Sequence, residues 1–346
     1  EVKEALRAGA QGYGWPCFGH DAEMKSLAYH VKLRDGLRTD GPSDYQRREI
    51  LALLEQQYKP AAWSIPEDFL EYSHFCRVVE KLDFTSSPGY PYLMRASSNS
   101  VFFQRKGDVV PEHRLREVWE LVKMRMSDRS SDPIRLFIKP EPHKQSKLDG
   151  KKYRLISSVS VVDQLIDAML FGEFNNAVID NCIQVPCKGG WSPLCGGWKM
   201  VPASGTMSLD KSGWDWSAQY WLFELELQLR TRLCTNLTAD WLELACWRYR
   251  ELFYSPRFIT SGGLLLRQKN PGVMKSGCYN TLVSNSIMQS LIHLRVCQEL
   301  DIRPGWIWTL GDDTLQSLIP KPERGRYLES CAQYCHVKHC VEGAEF

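Results

Sequence analysis

Apolar positions recur at helical spacing in several stretches of the chain. Across Val161–Ile179 they fall at Val162, Leu165, Ile166, Met169 and Leu170, the i, i+3, i+4 pattern of a helix facing a core. Similar reasoning predicts helices at Asp44–Tyr58, Ala218–Leu233 and Thr281–Leu300. Thr206–Leu209 is short and apolar, as a buried strand would be. Phe253–Arg267 reads as a hairpin, because Ser261-Gly262-Gly263 separates two β-prone runs. A second hairpin is predicted at Trp306–Ile319, turning at Gly311-Asp312-Asp313. The layout is α+β, with acidic residues at strand ends or turns. A Gly/Pro/Cys-rich bridge, Val185–Gly197, separates the two halves.

Composition narrows the options. A chain of 346 residues, 43% hydrophobic, can bury a large core in two or three subdomains. The formal net charge is only +2, so any basic footprint for nucleic acid must be local. Lys139–Arg154 supplies one, with Lys139, Lys144, Lys147, Lys151, Lys152 and Arg154 against Glu141 and Asp149. The 12 cysteines form no framework of close pairs and no signal-peptide core leads the chain, which points to a reduced, cytosolic setting. No run approaches the roughly 18 apolar residues that would span a bilayer. Membrane association would therefore come through partners.

The candidate chemistry is acidic. Asp210 ends the short strand, and Asp312 and Asp313 occupy the tip of an apolar hairpin. Adjacent carboxylates repel, which raises one pKa unless a cation neutralises them. Mg²⁺ (or Mn²⁺) is the natural partner, being a hard ion that takes carboxylates and substrate phosphates. With Asp210 beside the hairpin, two ions about 4 Å apart could be held. Gly-Asp-Asp alone, however, is also ordinary turn chemistry.

Further segments change that balance. Asp210-Lys-Ser-Gly-Trp-Asp215-Trp-Ser217 resembles motif A of the positive-strand viral RNA polymerases, most closely the sobemovirus-like group. Pro271-Gly-Val-Met-Lys-Ser276-Gly277-Cys-Tyr-Asn-Thr281-Leu-Val-Ser-Asn285-Ser286 resembles motif B, and Gly311-Asp312-Asp313 motif C. Lys139-Pro-Glu141-Pro-His143-Lys144 with Lys152-Tyr-Arg154-Leu-Ile156 resembles motif F. Thr85-Ser-Ser-Pro-Gly89-Tyr-Pro91-Tyr resembles motif G. The five stand in the family's order, G–F–A–B–C.

The resemblance implies a right-hand polymerase fold. Residues 1–195 would form the fingers with an N-terminal extension, carrying motifs G and F. Residues 196–346 would form the palm, with motifs A, B, C and the start of D and E, and a hairpin near 253–267 touching the fingers. Only 33 residues follow Asp313, too few for a thumb. The implied activity is RNA-dependent RNA polymerisation by a two-metal mechanism, with Asp210, Asp312 and Asp313 as metal ligands and Lys338, in the motif D region, as general acid. Lys139, Lys147, Lys152 and Arg154 would bind triphosphate. Asp215, Ser276, Thr281 and Asn285 would read the ribose, whose 2′-OH distinguishes RNA from DNA. Ser87, Gly89, Tyr90 and Gly277 would guide RNA, with Gly277 as a flexible loop at the head of the motif B helix.

Implied partners are an RNA template and nascent strand, NTPs and a genome-linked protein as candidate primer, in the host cytoplasm at membrane-associated replication complexes. Two rivals remain: a reverse transcriptase, which shares the Asp-Asp turn, and a polymerase-like RNA-binding protein without catalysis. Cys331, Cys335, His336, His339 and Cys340 have zinc-binding side chains, but their spacing matches no standard finger and they fall on a predicted helix. Trp214, Trp216, Tyr220 and Trp221 read as core packing.

Overall fold

The structure, a computed structural model, describes residues 12–202 and 204–343. Its first half opens with a short strand, β1 (Tyr13–Gly14), and helices α1 (His20–Val31), α2 (Asp44–Tyr58), α3 (Tyr72–Glu80) and α4 (Glu112–Asp128). Strands β2 (Ile134–Ile138), β3 (His143–Lys144) and β4 (Leu155–Ser158) precede helix α5 (Val161–Asp180). The second half begins with β5 (Thr206–Lys211), α6 (Tyr220–Leu233) and α7 (Ala239–Tyr249). The hairpin β6 (Arg257–Ile259) and β7 (Leu265–Arg267) then leads to helix α8 (Thr281–Glu299). The chain finishes through β8 (Ile307–Leu310), β9 (Asp313–Ser317), α9 (Lys321–Ala332) and β10 (Val337–Glu342).

Two four-stranded sheets organise the molecule. One is antiparallel throughout, in the order β10-β5-β9-β8. Its strand β5 lies between β9 and β10, so Thr206, Met207, Ser208 and Leu209 are all buried. Both faces of the strand are covered, the one bearing polar Thr206 and Ser208 as well as the one bearing apolar Met207 and Leu209. The other sheet has the order β4-β2-β6-β7, with β6 parallel to β2. The hairpin near 257–267 thus joins a sheet begun more than a hundred residues earlier.

Local chemistry fixes the helix starts. Ser43 and Gln46 form a reciprocal capping box at α2, and the Ser160 hydroxyl accepts from Asp163 N at α5. Helix α5 is enclosed, with Val162, Leu165, Ile166, Phe171 and Phe174 in the core. Helix α8 is enclosed too, yet it buries Ser284, Asn285, Ser286, Gln289, His293 and Arg295. Buried polar groups need partners: Asn285 meets Asp215 and Ser286 meets the Gly311 turn.

Four sequence expectations are corrected. The predicted helix from Ala218 starts at Tyr220, because Trp214–Ser217 forms its own helical turn before it. Phe253 belongs to no hairpin: Arg250–Tyr254 continues α7 as a widened helical turn. The predicted helix across Cys331–Cys340 breaks after Ala332 and becomes β10. The strand expected at Val341–Phe346 begins earlier, at Val337, and Ala344–Phe346 lie outside the described residues.

Candidate active site

Strand pairing brings the three aspartates to one end of the sheet's two central strands. Leu209 pairs with Thr314 across β5 and β9, and Asp210 pairs with His339 across β5 and β10. Leu310 pairs with Asp313, leaving Gly311 and Asp312 as a two-residue turn with Gly311 at φ 63°. Positive φ at that position is what a tight hairpin requires and glycine tolerates. The Asp313 carboxyl is pushed up by burial, then by the charges of Asp312 and Asp210. The carboxylates are therefore close enough to oppose one another's ionisation.

Two lysines answer that charge. Lys211, fully enclosed, directs Nζ to Thr314 Oγ1 at 3.2 Å and to the Asp312 carbonyl at 3.4 Å. Burial pushes its ammonium down, opposed by the nearby thiols of Cys335 and Cys331 and by Asp312 and Asp313. Lys338, on β10, places Nζ 2.5 Å from Asp210 Oδ2. No three His, Cys, Asp or Glu side chains among the described residues converge on a common metal position. The donor set still suits a hard divalent cation: oxygen ligands, crowded negative charge and, at Asp210, an exposed lysine that an ion could displace.

Past β5 the chain turns at Gly213 (φ 62°) into the short helix that carries Asp215. Its half-buried carboxylate accepts from Asn285 Nδ2 at 3.0 Å. Burial, opposed by the Asn285 bond and reinforced by the charge of Asp312, pushes the Asp215 carboxyl up to about 6. Asn285 is itself oriented by Trp214, whose Nε1 donates to Asn285 Oδ1 at 2.8 Å. One residue on, the Ser286 hydroxyl accepts from Gly311 N at 3.0 Å. Helix α8 thus holds both Asp215 and the acidic turn.

The other motif B side chains are placed differently. Thr281 Oγ1 donates to the Lys275 carbonyl at 2.7 Å, and Ser276 Oγ accepts from Ser157 N at 3.2 Å. Neither hydrogen-bonds Asp215. Gly277 is pinned rather than flexible: its N–H donates to Ser157 O at 3.0 Å. A Cβ there would lie 2.6 Å from Ser157 O.

The basic segment is ordered by a carboxylate. Lys139 and Arg154 are joined by a backbone bond of 2.9 Å, and both side chains reach Glu141, at 2.9 and 2.6 Å. Lys147 is exposed, and its ammonium is pushed down by partial desolvation, then by the charges of Arg154, Lys338 and Lys144. These cations therefore share a neighbourhood that reaches β10. Lys152 stands apart, its Nζ 5.0 Å from the Tyr29 ring centre.

Of the predicted RNA contacts, Ser87 and Gly277 line one cavity of about 670 Å³, together with Asn99, Arg135, Ser158 and Tyr279. Gly89 is buried, and a Cβ there would lie 2.8 Å from Val159 O, so its role is close packing rather than exposure. Tyr90 is half-buried. The cysteine cluster disperses: Cys331 and Cys335 are in the core, while His336 Nε2 bonds Leu33 O at 2.5 Å. Sequence reasoning gave no role to Glu141, Lys211, Lys275 or Ser286. All four stand inside the quoted motifs, and only the fold reveals what they hold.

Known viral proteins resemble this chain. A family profile described as viral RNA-dependent RNA polymerase matches residues 73–333. The chain is 30% identical to Protein P1-P2 of Pea enation mosaic virus-1 (strain WSG), over 90% of this chain and 29% of that protein. It is also 30% identical to Protein P1-P2 of Potato leafroll virus (strain Potato/Scotland/strain 1/1984), over 96% and 36%. Replicase polyprotein P2AB of Cocksfoot mottle virus (isolate Dactylis glomerata/Norway/CfMV-NO/1995) is 31% identical over 90% and 35%. The chain spans about a third of the length of these relatives.

Proposed function

The chain belongs to the viral RNA-dependent RNA polymerase family, and from that premise we propose that it joins nucleoside triphosphates on an RNA template, releasing pyrophosphate. The observation that carries this reading is a single constellation. An acidic edge (Asp210, Asp312, Asp313) lies beside the pair Asp215–Asn285 and near the cations Lys147 and Arg154. Two Mg²⁺ or Mn²⁺ ions on the three aspartates would supply activation of the attacking 3′-hydroxyl and charge stabilisation at the leaving pyrophosphate.

The chain's own groups do the rest. Asp215 and Asn285 take the ribose hydroxyls, one as acceptor and one as an amide able to donate or accept. Lys139 and Arg154, ordered by Glu141, hold the triphosphate, and Arg154 offers a forked geometry. Lys147 adds charge from behind. Lys338 holds a proton at Nζ beside the reaction edge and serves as general acid toward pyrophosphate. The cavity between Ser87 and Gly277 guides template phosphates, which position the strand without reading it. In this reading the segment to about residue 195 forms the fingers and the segment from 196 onward the palm. The hairpin β6–β7 ties the two together.

RNA template, nascent strand and NTPs are the partners, and a genome-linked protein is the candidate primer. The site of action is the host cytoplasm, at membranes reached through partners; no helix among the described residues is long and apolar enough to cross a bilayer. The test is labelled NTP incorporation on primed RNA in Mg²⁺ or Mn²⁺, beside dNTPs and a metal-free control. Metal-dependent ribonucleotide incorporation supports the reading. Preferential dNTP incorporation would favour a reverse transcriptase, and RNA binding without turnover a non-catalytic relative.

A further inference from the structure

Lysine is rarely found fully enclosed without a charged partner, yet Lys275 is completely buried. Its ammonium has three donors, and three oxygens meet them. They are Gln268 Oε1 at 2.9 Å, the Gly272 carbonyl at 3.2 Å and the Val273 carbonyl at 2.7 Å. The rings of Phe253 and Phe258 close the site, with centres 5.8 and 5.6 Å from Nζ. Among the described residues no carboxylate lies within ion-pair distance of it. A second cation approaches from the other side. Arg34 donates to the Asn270 carbonyl at 3.1 Å and the Pro271 carbonyl at 2.8 Å. Four consecutive carbonyls, from residues 270 to 273, are thus collected by two positive charges.

The loop they hold is strained. Val273 has φ 62°, a conformation that its branched Cβ makes costly. Such a backbone persists only where its surroundings over-determine it. Its outward N–H groups explain why it is kept. Val273 N donates to Ala218 O at 2.8 Å, and Met274 N donates to Asp215 O at 2.7 Å. The loop therefore grips both ends of the turn that presents Asp215, while Asn285 fixes the carboxylate itself.

We infer that Lys275 is a positioning residue for sugar selection. It anchors the strained Gly272–Val273 loop and, through the Met274–Asp215 backbone bond, sets the carboxylate where it meets the ribose hydroxyls. This rests on the reading of Asp215 as the ribose acceptor. An apolar residue at 275 would leave the Val273 carbonyl and Gln268 Oε1 short of a donor, while the Gly272 carbonyl keeps Gln268 Nε2 at 2.9 Å, and would let the loop relax at Val273. Asp215 would then shift by a fraction of an ångström, enough to matter for a hydrogen bond that decides between substrates.

The experiment compares NTP with 2′-deoxy-NTP incorporation by the parent, Lys275→Met, Arg34→Met and the double variant Lys275→Met/Val273→Gly, with a melting curve for each. In Lys275→Met the preference for NTP falls by about tenfold, mainly through a higher KM for NTP. Glycine at 273 removes the strain and restores most of the preference. Arg34→Met shows the same change in smaller measure, and keeps the inference testable if Lys275→Met does not fold. Equal losses for both sugars, with the preference unchanged in the folded variants, would overturn the inference and leave Lys275 as structural support. A parent that incorporates no nucleotide at all overturns the polymerase reading and the inference with it.

Discussion

Lys338 Nζ lies 2.5 Å from Asp210 Oδ2, bridging β10 and β5 at the edge where a metal ion would bind. Both side chains are about half exposed, 51% and 40%, so the pair is worth at most about 1 kcal/mol and a divalent cation can displace it. Lys338→Met removes the competitor. Mn²⁺ binding, measured by calorimetry on free protein, should tighten by up to about fivefold, while turnover on primed RNA falls by ~10² through loss of the acid. Unchanged Mn²⁺ affinity would mean that the pair does not compete with the metal.

The Ser286 hydroxyl is the acceptor for Gly311 N, at 3.0 Å. Ser286→Ala leaves that donor short of a partner and should cost about 1–3 kcal/mol of stability. Because the bond sets the acidic turn and not the nucleotide pocket, kcat should drop while KM for NTP moves little. A melting curve and one steady-state series decide it. A KM effect alone would contradict the assignment.

Lys139 and Arg154 share Glu141, so they should behave as one unit. Lys139→Ala and Arg154→Ala should each lower kcat/KM for NTP, and the double variant should lose less than the two losses combined. Additive losses would show two independent contacts. Arg154→Lys should recover little, since an ammonium cannot make a forked contact.

The Asp215 carboxyl, raised to about 6 chiefly by burial, is uncharged below that pH and charged above it. As acceptor for the ribose hydroxyls it must be charged. The free-enzyme profile of kcat/KM for NTP should therefore fall by about tenfold per unit below pH 6 and level off above it. In Asp215→Asn the inflection should vanish. A profile flat across pH 5–7 in the parent would contradict this role.

The sequence carried the parts whose chemistry is local. Gly311 between an apolar strand and two aspartates reads as a turn because only a turn uses that set, and α5 follows from its periodicity. The partners of those parts were not legible. Lys338 meets Asp210 from 128 positions further along the chain, and Arg34 reaches the 270–271 carbonyls from a segment that no motif covers. Charge along the chain also says nothing of direction. Lys152 sits in the same basic run as Arg154, yet it turns onto Tyr29. Lys275, which any surface rule would place in water, is fully enclosed because loop carbonyls converge on it. Phe253 fell outside its expected hairpin because its helix widens by one turn before the strand begins.

The most direct test of the central claim is incorporation of labelled NTP on primed RNA, in Mg²⁺ or Mn²⁺, by the parent chain and by Asp312→Asn. Replacing one of two adjacent carboxylates relieves repulsion, so the variant should melt no lower than the parent. The account predicts metal-dependent extension by the parent and a loss of at least ~10³-fold in the folded variant. Equal extension by the two proteins would contradict it, since the acidic turn would then not hold the catalytic metal.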